Sequence, residues 1–473
     1  MEIGPWSSIK AITAALSSGQ VKTADMAQSA IERAFKAQAA LNCFAEIGAD
    51  GILLAAHEID RRRELGESLG ALAGVPAAIK DCTPVAGLGN RFGSFALADN
   101  VADEDAEIVK RFRQADALIP GKTTLSEFAA TSFCDSPLYG ITRNAWNPDR
   151  TPGGSSGGSA VAVATGCVAI AQGTDMGGSV RIPASFPGVV GIKPAAGRLP
   201  LDDQPSFIDD IQHQGLLTRT VDDLARALPT LCGDTWADPR TLMTPLPDLP
   251  SELDLRELRI AVTDDLGFFI IEPEVRDRLE QAASFLGRVG ANVSRPRLAW
   301  DRSIADGWVR HWRVYLATFF GDALDSIGTL ADARLAATVA KGRSYGAVSI
   351  KKLDLLRKRQ WDVLANLFSE YDVLLSPTMT RPAVGVDEDD ASYHTLTANG
   401  RKRGLDMTSV FNWVPWCPAL SVPAGLSSDA LPIGLHITTH PHREDVALRV
   451  ARAIERAYPH TWPPELATLV WLT

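Results

Sequence analysis

The sequence predicts an α/β fold on a mostly parallel sheet. Between residues 71 and 125, short apolar runs alternate with helical stretches, the pattern of strands joined by crossover helices. Hydrophobic residues make up 45% of the 473-residue chain and charged residues 22%, ordinary for a globular protein with a large core. No run of about 18 apolar residues occurs, so no membrane span is expected.

The elements read in order as follows. Residues 7–63 are helical, with Ile9, Ile12 and Leu16, then Met26, Ile31, Ala34 and Phe35, recurring at helical spacing. Ser17-Ser18-Gly19 breaks the first helix, and Thr23 is the candidate N-cap of the second. Val75–Ile79 and Ala117–Ile119 read as buried strands, with Glu104–Gln114 the helix between them. From 150 to 195 the chain is rich in Gly, Ser and Ala. Ala160–Ala164 starts a helix with Ser159 near its N-terminus, and Val168–Gln172 reads as a strand. Residues 234–251, rich in Pro and Asp, read as a linker, and 255–263 returns to strand character. Residues 273–370 are mostly helical and contain Trp300, Trp308, Trp312 and Trp361. Asp372–Ser376 and Ala419–Val422 read as strands and Asp445–Tyr458 as a closing helix. No internal repeat or low-complexity tract is seen.

The formal net charge is −10, from 47 Lys and Arg against 57 Asp and Glu. A mildly acidic chain with no dense basic run argues against a nucleic-acid partner and against docking on anionic membranes. The six cysteines are scattered with no CxxC pair, which fits reduced thiols in a cytoplasm rather than a disulfide framework or a zinc site. Met1–Trp6 has no basic stretch followed by an apolar one, so no signal peptide is read and a cytoplasmic location is expected.

The chemistry concentrates in two Gly/Ser segments, Gly153-Gly154-Ser155-Ser156-Gly157-Gly158-Ser159 and Gly173-Thr174-Asp175-Met176-Gly177-Gly178-Ser179, and in Lys80, which ends the apolar run Gly74–Ile79. A flexible linker would also be Gly/Ser-rich. The first segment instead runs without a break into an apolar Ala/Val stretch, so its glycines fit unusual backbone angles and close approach of a ligand. Gly177 and Gly178 before Ser179 leave consecutive N–H groups uncovered, either as a plain tight turn or as an oxyanion hole. A lysine drawn into apolar surroundings loses its proton more easily and can act as a base. Asp81 would oppose that shift if it faced the amine, so it is expected to point away and hold backbone groups.

Other motifs lead nowhere. Gly121-Lys122-Thr123-Thr124 ends like a phosphate-binding loop, but Asp116 stands where that motif requires glycine. His440 and His442 have no evident third ligand and read as a surface turn. Cys82 and Cys134 read as small buried hydrophobes.

Taken together, Lys80, Arg150–Ser159, Gly173–Pro183 and Gly188–Pro194 resemble the amidase signature family. The spacing from Lys80 to Ser155 and on to Ser179 agrees as well. Weaker similarity runs through Gly215–Leu224, Tyr371–Ala383 and Pro418–Ile437, so the resemblance covers nearly the whole chain as one catalytic domain, 1–473. Within it lie N-terminal helices (7–63), a signature core (71–230), a mostly helical substrate-side region (255–370) and a C-terminal part of the core (371–473). The resemblance implies an α/β/α sandwich with a mixed, mostly parallel sheet, and a Ser–cis-Ser–Lys triad. Ser179 would be the nucleophile, Ser155 the proton relay after a cis Gly154–Ser155 peptide, and Lys80 the neutral base. Backbone N–H groups of Met176, Gly177, Gly178 and Ser179 would hold the oxyanion. Asp175 and Arg181 would hold the loop, and Ser156 would be a neighbour of the triad. No cofactor and no metal are implied.

Departures from the family pattern bear on the substrate. Met176 stands where threonine is commoner, His436 replaces a glutamine and Ala430 a glycine. Phe411–Pro418 is bulky, with Trp416 where a glycine is common. The loop Thr131-Ser132-Phe133 borders the acyl pocket in the family, and Tyr139, Trp413 and Trp416 are candidates to lie near it. Flat side chains favour a slot for a small planar acyl group; the alternative is that they are core. The expected activity is hydrolysis of small aromatic carboxamides or acyl hydrazides. A glutamine-hydrolysing subunit of a tRNA-dependent amidotransferase and an inactive binding protein on the same scaffold are the alternatives. The expected partner is a small amide or hydrazide, with a homodimer through the N-terminal helices as the oligomer considered.

Overall fold

The computed structural model describes residues 3–247, 254–393 and 395–459. Its centre is an eleven-stranded sheet. The strands are β1 (Phe44–Ile47), β2 (Ala77–Lys80), β3 (Gly121–Thr123), β4 (Ile170–Asp175), β5 (Val190–Lys193), β6 (His213–Thr218), β7 (Arg259–Val262), β8 (Asn292–Ser294), β9 (Val373–Pro377), β10 (Ala419–Leu426) and β11 (Pro432–Thr439). The helices used below are α1 (Ile9–Ser17), α2 (Thr23–Leu41), α3 (Ala49–Glu64), α4 (Glu107–Gln114), α5 (Gly157–Ala164), α6 (Arg181–Ser185), α7 (Val221–Leu231), α8 (Pro273–Arg288) and α9 (Ser303–Phe319). Farther along come α10 (Gly321–Ile327), α11 (Ala333–Arg343), α12 (Ala347–Lys351), α13 (Leu353–Glu370) and α14 (Glu444–Ala457).

The strand order is β1-β3-β2-β4-β6-β5-β10-β11-β9-β7-β8. The sheet is mixed. Its parallel pairs form two blocks, β3-β2-β4 and β9-β7-β8. The run from β4 to β9 through the middle is antiparallel, as is the β1 edge. The expectation of parallel pairing from the βα alternation holds in the two blocks. Between them the neighbouring strands pair antiparallel, and β10 and β11 form a hairpin.

Alternation along the strands gives the sheet two apolar faces. Ala77, Ile79, Ile170 and Leu216 pack with α1, α3, α4, α7, α8 and α14. Ala78, Ala171 and Leu217 face the other way, onto α5 and the C-terminal half of α2. Helix α5 is buried along its whole length, which explains its Gly/Ala/Val composition: only small side chains let a helix lie this close to a sheet. A third apolar cluster joins α9 and α13 to the segment 407–417, on the side where the site opens.

Three local expectations change. Thr23 is the first residue of α2, not its cap. The exposed amides are taken by Asp60 of α3, which accepts from Thr23 N at 2.9 Å and Ala24 N at 3.0 Å. Ala117–Ile119 contributes one parallel bridge, Pro76 to Leu118, and the regular strand starts at Gly121. The described part of 234–251 is strapped down: Leu242 N donates to Gly197 O at 2.9 Å, and the Asp238 carboxylate accepts from Leu201 N at 2.9 Å. The rest of that stretch lies outside the described residues.

Candidate active site

Strand β2 is interior to the sheet and ends in a lysine with no solvent exposure. Lys80 Nζ lies 2.7 Å from Ser155 Oγ and 2.9 Å from Thr174 Oγ1, and its backbone N–H donates to Gln172 Oε1 at 2.9 Å. Thr174 and Gln172 belong to the adjacent parallel strand β4, so sheet pairing itself sets this geometry. Burial lowers the Lys80 pKa; Cys82, Cys134, Asp175 and Asp81 push part of the way back. Asp81 turns from the amine, as expected. Its carboxylate accepts from Arg91 N and Gly93 N at 3.4 and 3.2 Å.

Ser155 sits in the turn that leads into α5, after a cis Gly154–Ser155 peptide. A Cβ on Gly154 would fall 2.1 Å from Phe133 O, so the turn admits no side chain there. Ser156 is an anchor rather than a member of the group. Its N–H donates to Ser179 O at 3.0 Å and its hydroxyl to Thr174 O at 3.3 Å.

The loop between β4 and α6 carries Ser179, which is half-buried. Asp175 fixes this loop, accepting from Gly178 N at 2.9 Å and Val180 N at 3.2 Å. Arg181 completes the brace with bonds to Asp175, Thr408 O and Asn412 Oδ1. Arg181 Nη1 also donates to His436 Nε2 at 2.8 Å. An arginine cannot accept, so His436 is the Nδ1-protonated tautomer, and burial holds its pKa well below the usual histidine value. The residue that departs from the family pattern is thus part of the brace.

The loop corrects one expectation. Gly178 spends its N–H on Asp175, whereas those of Met176, Gly177 and Ser179 have no acceptor among the described residues. Gly178 is needed for another reason: its φ is +120°, and a Cβ would fall 1.8 Å from Thr408 Oγ1.

Two cavities meet at Ser179. The outer, about 650 Å³, is lined by Thr131, Ser132, Gly177, Ile182, Trp308 and Tyr345 among others. The inner, about 380 Å³, is lined by Ser155, Thr174, Cys82, Phe128, Tyr315 and Asp203 among others. Met176, Ala129 and Trp312 border both.

Of the expected pocket residues, Thr131 and Ser132 line the outer cavity. Phe133 does not. It is 3% exposed and packs behind Ile182 with Phe186 and Met379. Trp413 is buried in the cluster under α9, its indole N–H donating to His311 Nδ1 at 3.1 Å. Trp416 is on the surface, edge-on to Trp361. Tyr139 lines neither cavity. The aromatic walls come from residues that the sequence reading missed or placed only in a helix: Trp308, Trp312 and Tyr315 on α9, with Phe92, Phe128 and Phe320. Phe128 and Phe320 stack at 4.7 Å, and Phe92 and Phe128 both adopt positive φ, an uncommon backbone for bulky residues that concentrates at functional sites. The helical spacing of Trp308, Trp312 and Tyr315 marked one face of α9, but a core face gives the same signal.

The remaining motifs are structural. Lys122 Nζ donates to the carbonyls of Asp81, Thr83 and Gly89, and His440 Nε2 bonds Tyr371 O at 3.0 Å. Among the described residues no helix is long and apolar enough to cross a membrane.

Fold and site together define the class of the amidase signature hydrolases. The amidase family model matches residues 25–448, and the chain belongs to that family. It is similar to an acylamidase of Rhodococcus erythropolis, 32% identical over 461 residues that cover 96% of each chain. It is also similar to a glutamyl-tRNA(Gln) amidotransferase subunit of Thermosynechococcus vestitus, 31% identical over 469 residues, 93% of this chain and 96% of that one. A solved bacterial aryl acylamidase of the same family superposes with a TM-score of 0.90 at 28% identity, covering 99% of both chains.

Proposed function

We propose that this chain hydrolyses the C–N bond of small aryl carboxamides or acyl hydrazides through an acyl-enzyme on Ser179. The observation that carries the reading is the fully buried Lys80 Nζ, 2.7 Å from Ser155 Oγ, with Ser155 and Ser179 lining one cavity. Ser179 Oγ attacks the carbonyl carbon. Its proton passes to Ser155, which hands its own to the lone pair of neutral Lys80. The N–H groups of Met176, Gly177 and Ser179 hold the oxyanion; one such donor is typically worth about 3–4 kcal/mol. As the tetrahedral carbon collapses and the C–N bond breaks, the proton returns through Ser155 to the leaving nitrogen. Water then hydrolyses the acyl ester by the same relay.

The aryl preference is supported by Trp308, Trp312 and Tyr345 around the outer cavity and by likeness to proteins named acylamidase and aryl acylamidase. The test is product release from benzamide, benzoyl hydrazide, acetamide and glutamine, with wild type and Ser179→Ala. Preference for the aromatic members, lost in the variant, is expected; activity on glutamine alone would overturn the aryl reading. That second reading, glutamine hydrolysis within a larger amidotransferase, rests on the similarity to the Thermosynechococcus protein. It predicts copurification of partner proteins.

A further inference from the structure

We propose that the inner cavity receives the leaving amine and that Asp203 selects amines carrying a second N–H group, such as hydrazine or a short diamine. The inference rests on the hydrolase reading above and deepens it. The leaving nitrogen takes its proton from Ser155, so it must stand on the Ser155 side of the scissile bond. Ser155 lines the inner cavity and is not among the residues lining the outer one. The acyl group then occupies the outer cavity, beside Thr131, Ser132 and Trp308.

Two acidic residues, Asp202 and Asp203, line the inner cavity, and they are not equivalent. Asp202 is engaged: both its oxygens accept from Glu107 N at 3.1 Å, at the start of α4. Asp203 takes a long bond from its neighbour Gln204, 3.4 Å, and one from its own backbone N–H; the Lys122 charge acts on it, but no arginine or lysine forms an ion pair with it among the described residues. Tyr315 OH donates to Gln204 Oε1 at 2.9 Å, tying the Asp203 loop to α9 across the cavity. Burial and the Asp202 charge push Asp203 up to about 6, so it is an acceptor at neutral pH. A carboxylate with spare lone pairs in a cavity that also holds the proton relay suits a distal amine. In a hydrazide that amine is one bond from the nitrogen that leaves.

The test compares benzoyl hydrazide with N-methylbenzamide, which differ only by NH2 against CH3 on the leaving nitrogen. Asp203→Asn is expected to lower the ratio of their kcat/KM values about 10- to 100-fold, the usual range for losing a hydrogen bond to a charged group. Asp203→Glu is expected to restore part of it. A ratio unchanged in Asp203→Asn, with both substrates still hydrolysed, would overturn this inference and leave the hydrolase reading intact. Absence of amide hydrolysis by wild type would overturn both.

Discussion

Asp175 and Arg181 are joined by two parallel hydrogen bonds, Oδ2 to Nε at 2.9 Å and Oδ1 to Nη2 at 2.8 Å, and neither side chain is exposed at all. The pair spans the loop that carries Ser179, and Asn412 Nδ2 adds a third bond to Asp175 Oδ1 at 2.9 Å. Burial alone would raise the Asp175 pKa; the Arg181 charge outweighs it and holds the carboxyl well below the usual range. A carboxylate depressed in the fold contributes stability above its unfolded pKa of about 3.9, and that stability is lost as pH falls below it. Breaking a buried pair from one side leaves an uncompensated charge, so Asp175→Ala is expected to cost about 3–5 kcal/mol. Urea unfolding at neutral pH measures this. A loss under about 1 kcal/mol would contradict the brace.

Lys80 has a linkage of the same sign, in a higher pH window and with burial as its cause. Its pKa is lowered by burial, so below the ordinary lysine range the unfolded chain binds the proton more readily than the folded one. Stability therefore rises with pH on account of this group. Lys80→Met is expected to abolish turnover while leaving the protein at least as stable as wild type, a stability–activity trade-off seen at active sites. The rate should fall toward acid as Lys80 protonates, and a profile flat down to pH 5 would contradict the neutral base.

In the proposed mechanism the two serines act as one relay, so their losses should not add. Ser155→Ala and Ser179→Ala are each expected to cut kcat by about 10³-fold or more, and the double variant to be little worse than the poorer single one. Multiplying losses, read from single-turnover rates, would mean that the hydroxyls work independently.

The aromatic walls make the tryptophans distinguishable. Trp312 borders both cavities, whereas Trp416 stands on the surface beside Trp361 and Arg357. Trp312→Ala is expected to lower the aryl-to-alkyl preference in kcat/KM about tenfold, the scale set by lost pocket contacts. Trp416→Ala should leave that ratio unchanged. The reverse result would return the acyl slot to the segment 411–418.

The local signals in the sequence reached the candidate catalytic residues but not the aromatic walls of the cavities, for a physical reason. Lys80, Ser155, Ser179 and Asp175 sit on or beside β2 and β4, where glycines and a lone lysine break the apolar pattern and so announce themselves. The uncovered N–H groups of Met176 and Gly177 lie in the same loop. That Gly178 spends its own on Asp175 was not legible, because which N–H the Asp175 side chain consumes depends on the fold of that side chain. Phe133 and Trp413 look like pocket residues in sequence because burial and pocket lining favour the same side chains. Phe92, Phe128 and Phe320 come from separate parts of the chain and meet only in the fold. Asp203 lies in a loop whose neighbours give no periodic signal.

The most direct test of the account is the site of covalent acylation. The protein is mixed with p-nitrophenyl benzoate, quenched in acid and analysed by intact and peptide mass spectrometry. The account predicts one benzoyl adduct on Ser179, absent from Ser179→Ala and slow to form in Lys80→Met. An adduct on Ser155, or on a cysteine with Ser179 unmodified, would contradict it.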